Sequence, residues 1–186
     1  MRRLVLLTAL LLAACASPDP SFFTLAAVRG TPQAGGPALV ELRRPGIAGY
    51  LDRSEIVRAN TAYQLRMQSG ERWGEPFADM VARVLAEDLN MRLPGTSVFT
   101  STGSISADAE ATVELDLQKF DADPSGTVQL LAQVAVSRSR VRSAARARTI
   151  RISVTPAGST TADYVAALSA ALAQAADQIA AMLRMR

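Results

Sequence analysis

The chain has 186 residues, 49% of them apolar, with 20 Lys and Arg against 17 Asp and Glu and a formal charge of +3. It contains no histidine and one cysteine, which excludes histidine-activated nucleophiles, His-ligated metals and an internal disulfide. The length suits one domain with a core of its own, and the residue inventory predicts no catalytic group, no metal and no cofactor.

The first stretch reads as a targeting signal rather than part of the domain. Arg2 and Arg3 precede an apolar run over residues 4–12, and Ala13 and Ala14 lead to Cys15. That run is too short to cross about 30 Å of hydrocarbon as a helix, so residues 1–14 are expected to be a cleaved secretory signal. Leu12-Ala13-Ala14-Cys15 resembles a bacterial lipobox, which implies that Cys15 is acylated. Two or three acyl chains anchor a protein stably where one does not. Ala16 occupies a place where lipoproteins of the inner membrane commonly carry Asp, which implies the inner leaflet of the outer membrane, facing the periplasm. Loss of Arg2 and Arg3 removes two of the three net positive charges.

Residues 15–21 then form a short lipidated tether and residues 22–186 a single periplasmic domain. Strands are expected over 22–28 and 38–42, separated by a Gly/Pro loop. Around Pro45-Gly46 the chain turns into residues 49–53, which follow neither strand nor helix period. Tyr50 and Leu51 there are bulky and Asp52 and Arg53 charged. They read either as partner-binding anchors or as a core plug with a local Asp52–Arg53 salt bridge. Residues 56–59 and 63–68 predict two short strands joined at Asn60-Thr61.

Pro76 suits the first position of a helix. Phe77, Met80, Val81, Val84, Leu85 and Leu89 follow at helical spacing, up to the stop at Leu93-Pro94-Gly95. A short strand follows over 97–100, then strands over 111–117, 128–136 and 150–154 with apolar residues alternating by twos. The carboxylates Glu87, Asp88, Glu114 and Asp116 are expected on solvated faces. Thr160 and Asp163 resemble a capping box opening a second helix, whose stripe is Val165, Leu168, Leu172, Ala175, Ile179 and Leu183. Its polar face lacks basic residues until Arg184, so core packing is expected rather than a membrane-surface role. These elements predict an α+β fold: a two-layer sandwich of a mainly antiparallel sheet with two amphipathic helices packed on one face.

The stretch over residues 137–153 carries six arginines and looks like a nucleic-acid patch, but a secreted protein meets no nucleic acid. A hairpin centred on Ala144 would place Val134 opposite Val154, Val136 opposite Ile152 and Arg138 opposite Ile150. It would also set Arg140 against Arg148 and Arg142 against Arg146. The result would be an arginine tip, either solvated or in contact with an acidic partner surface or anionic lipid.

Several segments together resemble the PqiC-like family of ABC-type transport auxiliary lipoproteins. They are the lipobox, Phe22-Phe23-Thr24-Leu25, Tyr50-Leu51-Asp52-Arg53 leading into Ile56-Val57, Arg72-Trp73 with Glu75-Pro76-Phe77, and the alanine-rich end over 167–183. The resemblance implies a non-enzymatic component of an MCE-type lipid transport system, with an MCE-domain protein as partner and the outer membrane reached through the lipid anchor. A homo-oligomer is compatible with it. The alternative is an envelope assembly or regulatory lipoprotein serving an outer-membrane barrel or a cell-wall synthase.

Overall fold

The computed structural model describes residues 19–105, 107–139 and 145–185. In chain order they form β1 (Ser21–Phe23), β2 (Leu39–Leu42), β3 (Gly46–Ile47), β4 (Glu55–Thr61), β5 (Gln64–Trp73), α1 (Phe77–Arg92), β6 (Ser97–Thr100), β7 (Ala111–Ala122), β8 (Val128–Arg138), β9 (Arg146–Val154) and α2 (Thr161–Arg184).

Period-two alternation makes β7 the spine of the larger sheet. Ala111, Val113, Leu115 and Leu117 are buried, while Glu114 and Asp116 face solvent. A bulge between Leu117 and Lys119 then shifts the phase, as bulges do, and delivers Phe120 into the core. There its ring lies 5.8 Å from that of Phe77, which stacks on Trp73 at 4.9 Å. The sheet runs β6-β2-β7-β8-β9, with β3 also on β7. Its long ladders, β7–β8 and β8–β9, are antiparallel. The short strands β2 and β3 pair with β7 in parallel.

The expected α+β sandwich is thus present, with a second, three-stranded sheet of order β1-β5-β4 beside it. Helix α1 lies over β6, α2 lies over β7, β8 and β9, and the two helices touch. All six apolar stripe residues anticipated in each helix are buried. Helix α2 is long and apolar enough to cross a membrane, but most of it is buried inside the fold. Thr160 and Asp163 form the expected capping box, whereas Pro76 caps α1 from just outside rather than filling its first turn.

Three expectations are corrected. The strand over 22–28 shortens to β1, because residues 25–28 leave the sheet and cross the two helices as a strap. Their N–H groups are met by side chains: Leu25 donates to Met80 Sδ at 3.2 Å, Ala26 to Ser169 Oγ at 3.2 Å and Val28 to Asp88 Oδ1 at 2.9 Å. No ladder is then needed to satisfy the backbone. The β4–β5 turn falls at Ala62-Tyr63 rather than Asn60-Thr61, with the Thr61 hydroxyl accepting from Tyr63 N–H.

The β8–β9 register also differs from a hairpin centred on Ala144. Val134 pairs with Arg148 and Val136 with Arg146, while Ala132, Leu130 and Val128 pair with Ile150, Ile152 and Val154. This register keeps the same face inward. It matches every apolar residue of β9 with one of β8 under the helical cover, and it sets arginines beside valines rather than beside arginines.

Candidate functional site

The loop over residues 48–54 is built from β3 outward. Ala48 N–H donates to Leu117 O, Leu51 N–H closes a turn on Ala48 O, and Trp73 N–H donates to Ser54 O. The turn drives Leu51 into the core, where it is 4% exposed. Tyr50 is half-buried, with its hydroxyl beside the Asp121 carboxylate. Burial pushes both groups above their ordinary values, each reinforced by neighbouring negative charge; Lys119 Nζ, 3.9 Å away, works the other way on Asp121.

A second tyrosine completes this buried polar cluster. Tyr164 donates to Val57 O at 3.0 Å, and the Arg58 guanidinium lies 4.4 Å above its ring. Tyr50 and Leu51 therefore hold the loop down. Asp52 and Arg53 stay exposed. Arg53 turns to Met67 Sδ at 3.1 Å, so the anticipated Asp52–Arg53 salt bridge is replaced by a contact with the β4–β5 hairpin.

The arginine patch lies elsewhere. Arg146 and Arg148 are exposed on edge strand β9, while Arg140, Arg142 and Cys15 lie outside the described residues. Arg138 is no part of a tip: its Nη2 donates to Leu183 O at 2.6 Å and to Met185 O at 3.3 Å. It thereby satisfies carbonyls at the end of α2 and complements that end's partial negative charge. Val136, opposite Arg146, pairs on its other side with Val113, eight residues along β7 from Asp121. The two candidate surfaces thus stand about 27 Å apart at opposite ends of one sheet.

One buried charged group departs from the expected solvated face. Glu87 is exposed as anticipated, but Asp88 is fully buried. Its Oδ1 accepts from Val28 N–H at 2.9 Å and from Arg92 Nη1 at 3.3 Å. Arg92, itself 1% exposed, also holds Asp177 at 2.6 Å and Val28 O at 2.9 Å. Burial lifts the Asp88 carboxyl to about 6, against the pull of Val28 N–H and Arg92. This cluster ties the strap to both helices. Only the helical spacing of Asp88 and Arg92 hinted at it. Among the described residues, no group of three or more His, Cys, Asp or Glu is placed to hold a metal ion.

The described residues form an α+β module with Arg146 and Arg148 exposed on edge strand β9 and Asp52 and Arg53 exposed on the 48–54 loop. The chain belongs to the ABC-type transport auxiliary lipoprotein component family, whose profile matches residues 23–180. Two crystal structures share its fold. One, of an uncharacterised protein, has a TM-score of 0.73 at 16% identity, covering 89% of this chain and 99% of its own. The other, a Xanthomonas campestris protein of the DUF330 family, has a TM-score of 0.67 at 18% identity, covering 88% and 94%. No curated protein matches the chain.

Proposed function

We propose that this auxiliary lipoprotein docks an MCE-type lipid transporter at the outer membrane. Residues 1–14 are removed as a signal, acylated Cys15 holds the chain in the inner leaflet, and residues 22–186 face the periplasm as one domain.

The observation that carries this reading is the separation of the two ends. The N-terminal strand β1 pairs with β5 beside Glu71, whose carboxylate accepts from Thr161 Oγ1 at the start of α2. The arginine edge begins next to the other end of α2, at Leu183. A 24-residue helix is about 36 Å long, so the domain acts as a connector. Arg146 and Arg148, with Arg140 and Arg142 of the same arginine-rich stretch, are the residues assigned to an acidic partner surface. Asp52 and Arg53 form a second contact nearer the anchor, on a loop that Tyr50 and Leu51 hold to the core.

Affinity purification from membranes tests this reading. The native chain should retain an MCE-domain protein. Arg146→Gln with Arg148→Gln should reduce retention by roughly tenfold or more at low salt, with the difference from the native chain shrinking as salt rises. Cys15→Ala should lose its acyl label, keep the signal and leave the outer-membrane fraction. Recovery of a barrel or a penicillin-binding protein in place of the MCE-domain protein would overturn the proposal.

A further inference from the structure

The β4–β5 hairpin extends beyond the helical cover with apolar side chains in water. Tyr63 at its tip is 100% exposed, Met67 54% and Leu65 48%. Leu65 pairs with Ala59 and Met67 with Val57, so Leu65 and Met67 share one face of the small sheet. Contiguous exposed apolar surface of this kind marks a contact site in a folded protein.

The register of β1 indicates what covers it. Ser21 pairs with Glu71, Phe22 with Arg72 and Phe23 with Trp73, in parallel. At Ser21 the backbone therefore points back along β5 towards the hairpin tip, away from α1. Cys15 lies six residues before Ser21, a span of at most about 20 Å. Leu65 lies six residues before Glu71, so an anchor on Cys15 can come level with Leu65.

Charge fits the same occupant. Between Arg58 and Gln68 the hairpin has two arginines, Arg58 and Arg66, and no carboxylate. The arginines face each other across the strands, a like-charge pair that an anionic group would relieve. They line a polar cleft of about 390 Å³ whose one carboxylate, Asp123, comes from the opposite wall and is held by Ser125, Thr127 and Gln129.

We propose that the β4–β5 hairpin tip inserts into the lipid surface that holds the anchor, with Tyr63, Leu65 and Met67 at the headgroup–acyl boundary and Arg66 among anionic headgroups. This rests on the reading of Cys15 as the anchor. Tyrosine suits such a boundary because its ring is apolar and its hydroxyl wet.

The test uses tryptophan, since the one native indole, Trp73, is buried. The full lipidated chain carrying Tyr63→Trp or Leu65→Trp is placed in phosphatidylethanolamine–phosphatidylglycerol vesicles with brominated acyl chains. Met185→Trp, at an exposed position at the far end of α2, is the control. Indole at 63 and 65 should be quenched at least about threefold more strongly than at 185, because quenching requires reaching the acyl boundary. Emission at 63 as in water would overturn the insertion. So would a blue shift without bromine quenching that appears only with added envelope protein, which would assign the face to a protein partner. Mass measurement of the same preparation reads Cys15 acylation separately. An unacylated chain overturns the anchor while quenching at saturating vesicle concentration still decides the hairpin.

Discussion

Asp88 carries an unusual load for a single carboxylate: its Oδ2 is buried with no hydrogen-bond donor, and burial raises the group to about 6. A carboxyl whose folded value exceeds its unfolded 3.8 favours the protonated form. Its contribution to stability is therefore complete below about pH 4 and is lost as pH rises through about 6. Raising the group from 3.8 to about 6 corresponds to roughly 3 kcal/mol. Asp88→Asn keeps an acceptor for Val28 N–H and removes the titration. Its denaturation free energy, relative to the native chain, should rise by about that amount between pH 4 and pH 7; a pH-independent difference would contradict the burial argument. Gly30 follows the strap by two residues, and a Cβ there would collide with the Arg92 guanidinium. Arg92 is pinned by Asp88, Asp177 and Val28 O and cannot swing away, so Gly30→Ala should cost about 1–3 kcal/mol, read from the denaturant midpoint with the slope unchanged.

Among the elements, α2 is the one whose start is most sharply defined. The Thr160 hydroxyl accepts from Asp163 N–H at 3.1 Å, and the Asp163 carboxylate accepts from Thr160 N–H at 3.1 Å. Thr160→Ala should therefore cost about 1 kcal/mol and lower the melting temperature by about 3 °C in a domain of this size. Both helices were legible in the sequence because an apolar stripe is joined in α1 by the stop at Pro94-Gly95 and in α2 by the Thr160–Asp163 capping box. The long strands were legible because alternation marks one buried face. What alternation does not encode is register: shifting β9 by an even number of residues leaves the same side chains inward, so only the competition among cross-strand pairs selects the observed pairing. The bulge after Leu117 was equally hidden, since Phe120 shows its inward aim only once Phe77 and Trp73 are in place. The strap was misread as strand because Phe22, Phe23 and Leu25 have strand-like character, while the acceptors that replace its ladder come from residues 55 to 143 positions away in sequence.

Across the whole molecule, the buried loop residues Tyr50 and Leu51 were legible as a plug, and Arg146 and Arg148 as exposed charge. Their placement at opposite ends of the sheet was not, because it depends on the parallel pairing of β3 with β7 and on the β9 register together. The same topology determines how the protein bears tension. The three rungs joining β1 to β5 run in parallel register, so a pull on the N-terminus acts along the strand axis. It shears all three rungs at once instead of peeling them one at a time. Behind them, the strap passes the remaining force to Met80 and Asp88 on α1 and to Ser169 on α2, so both helices resist extraction of the segment together.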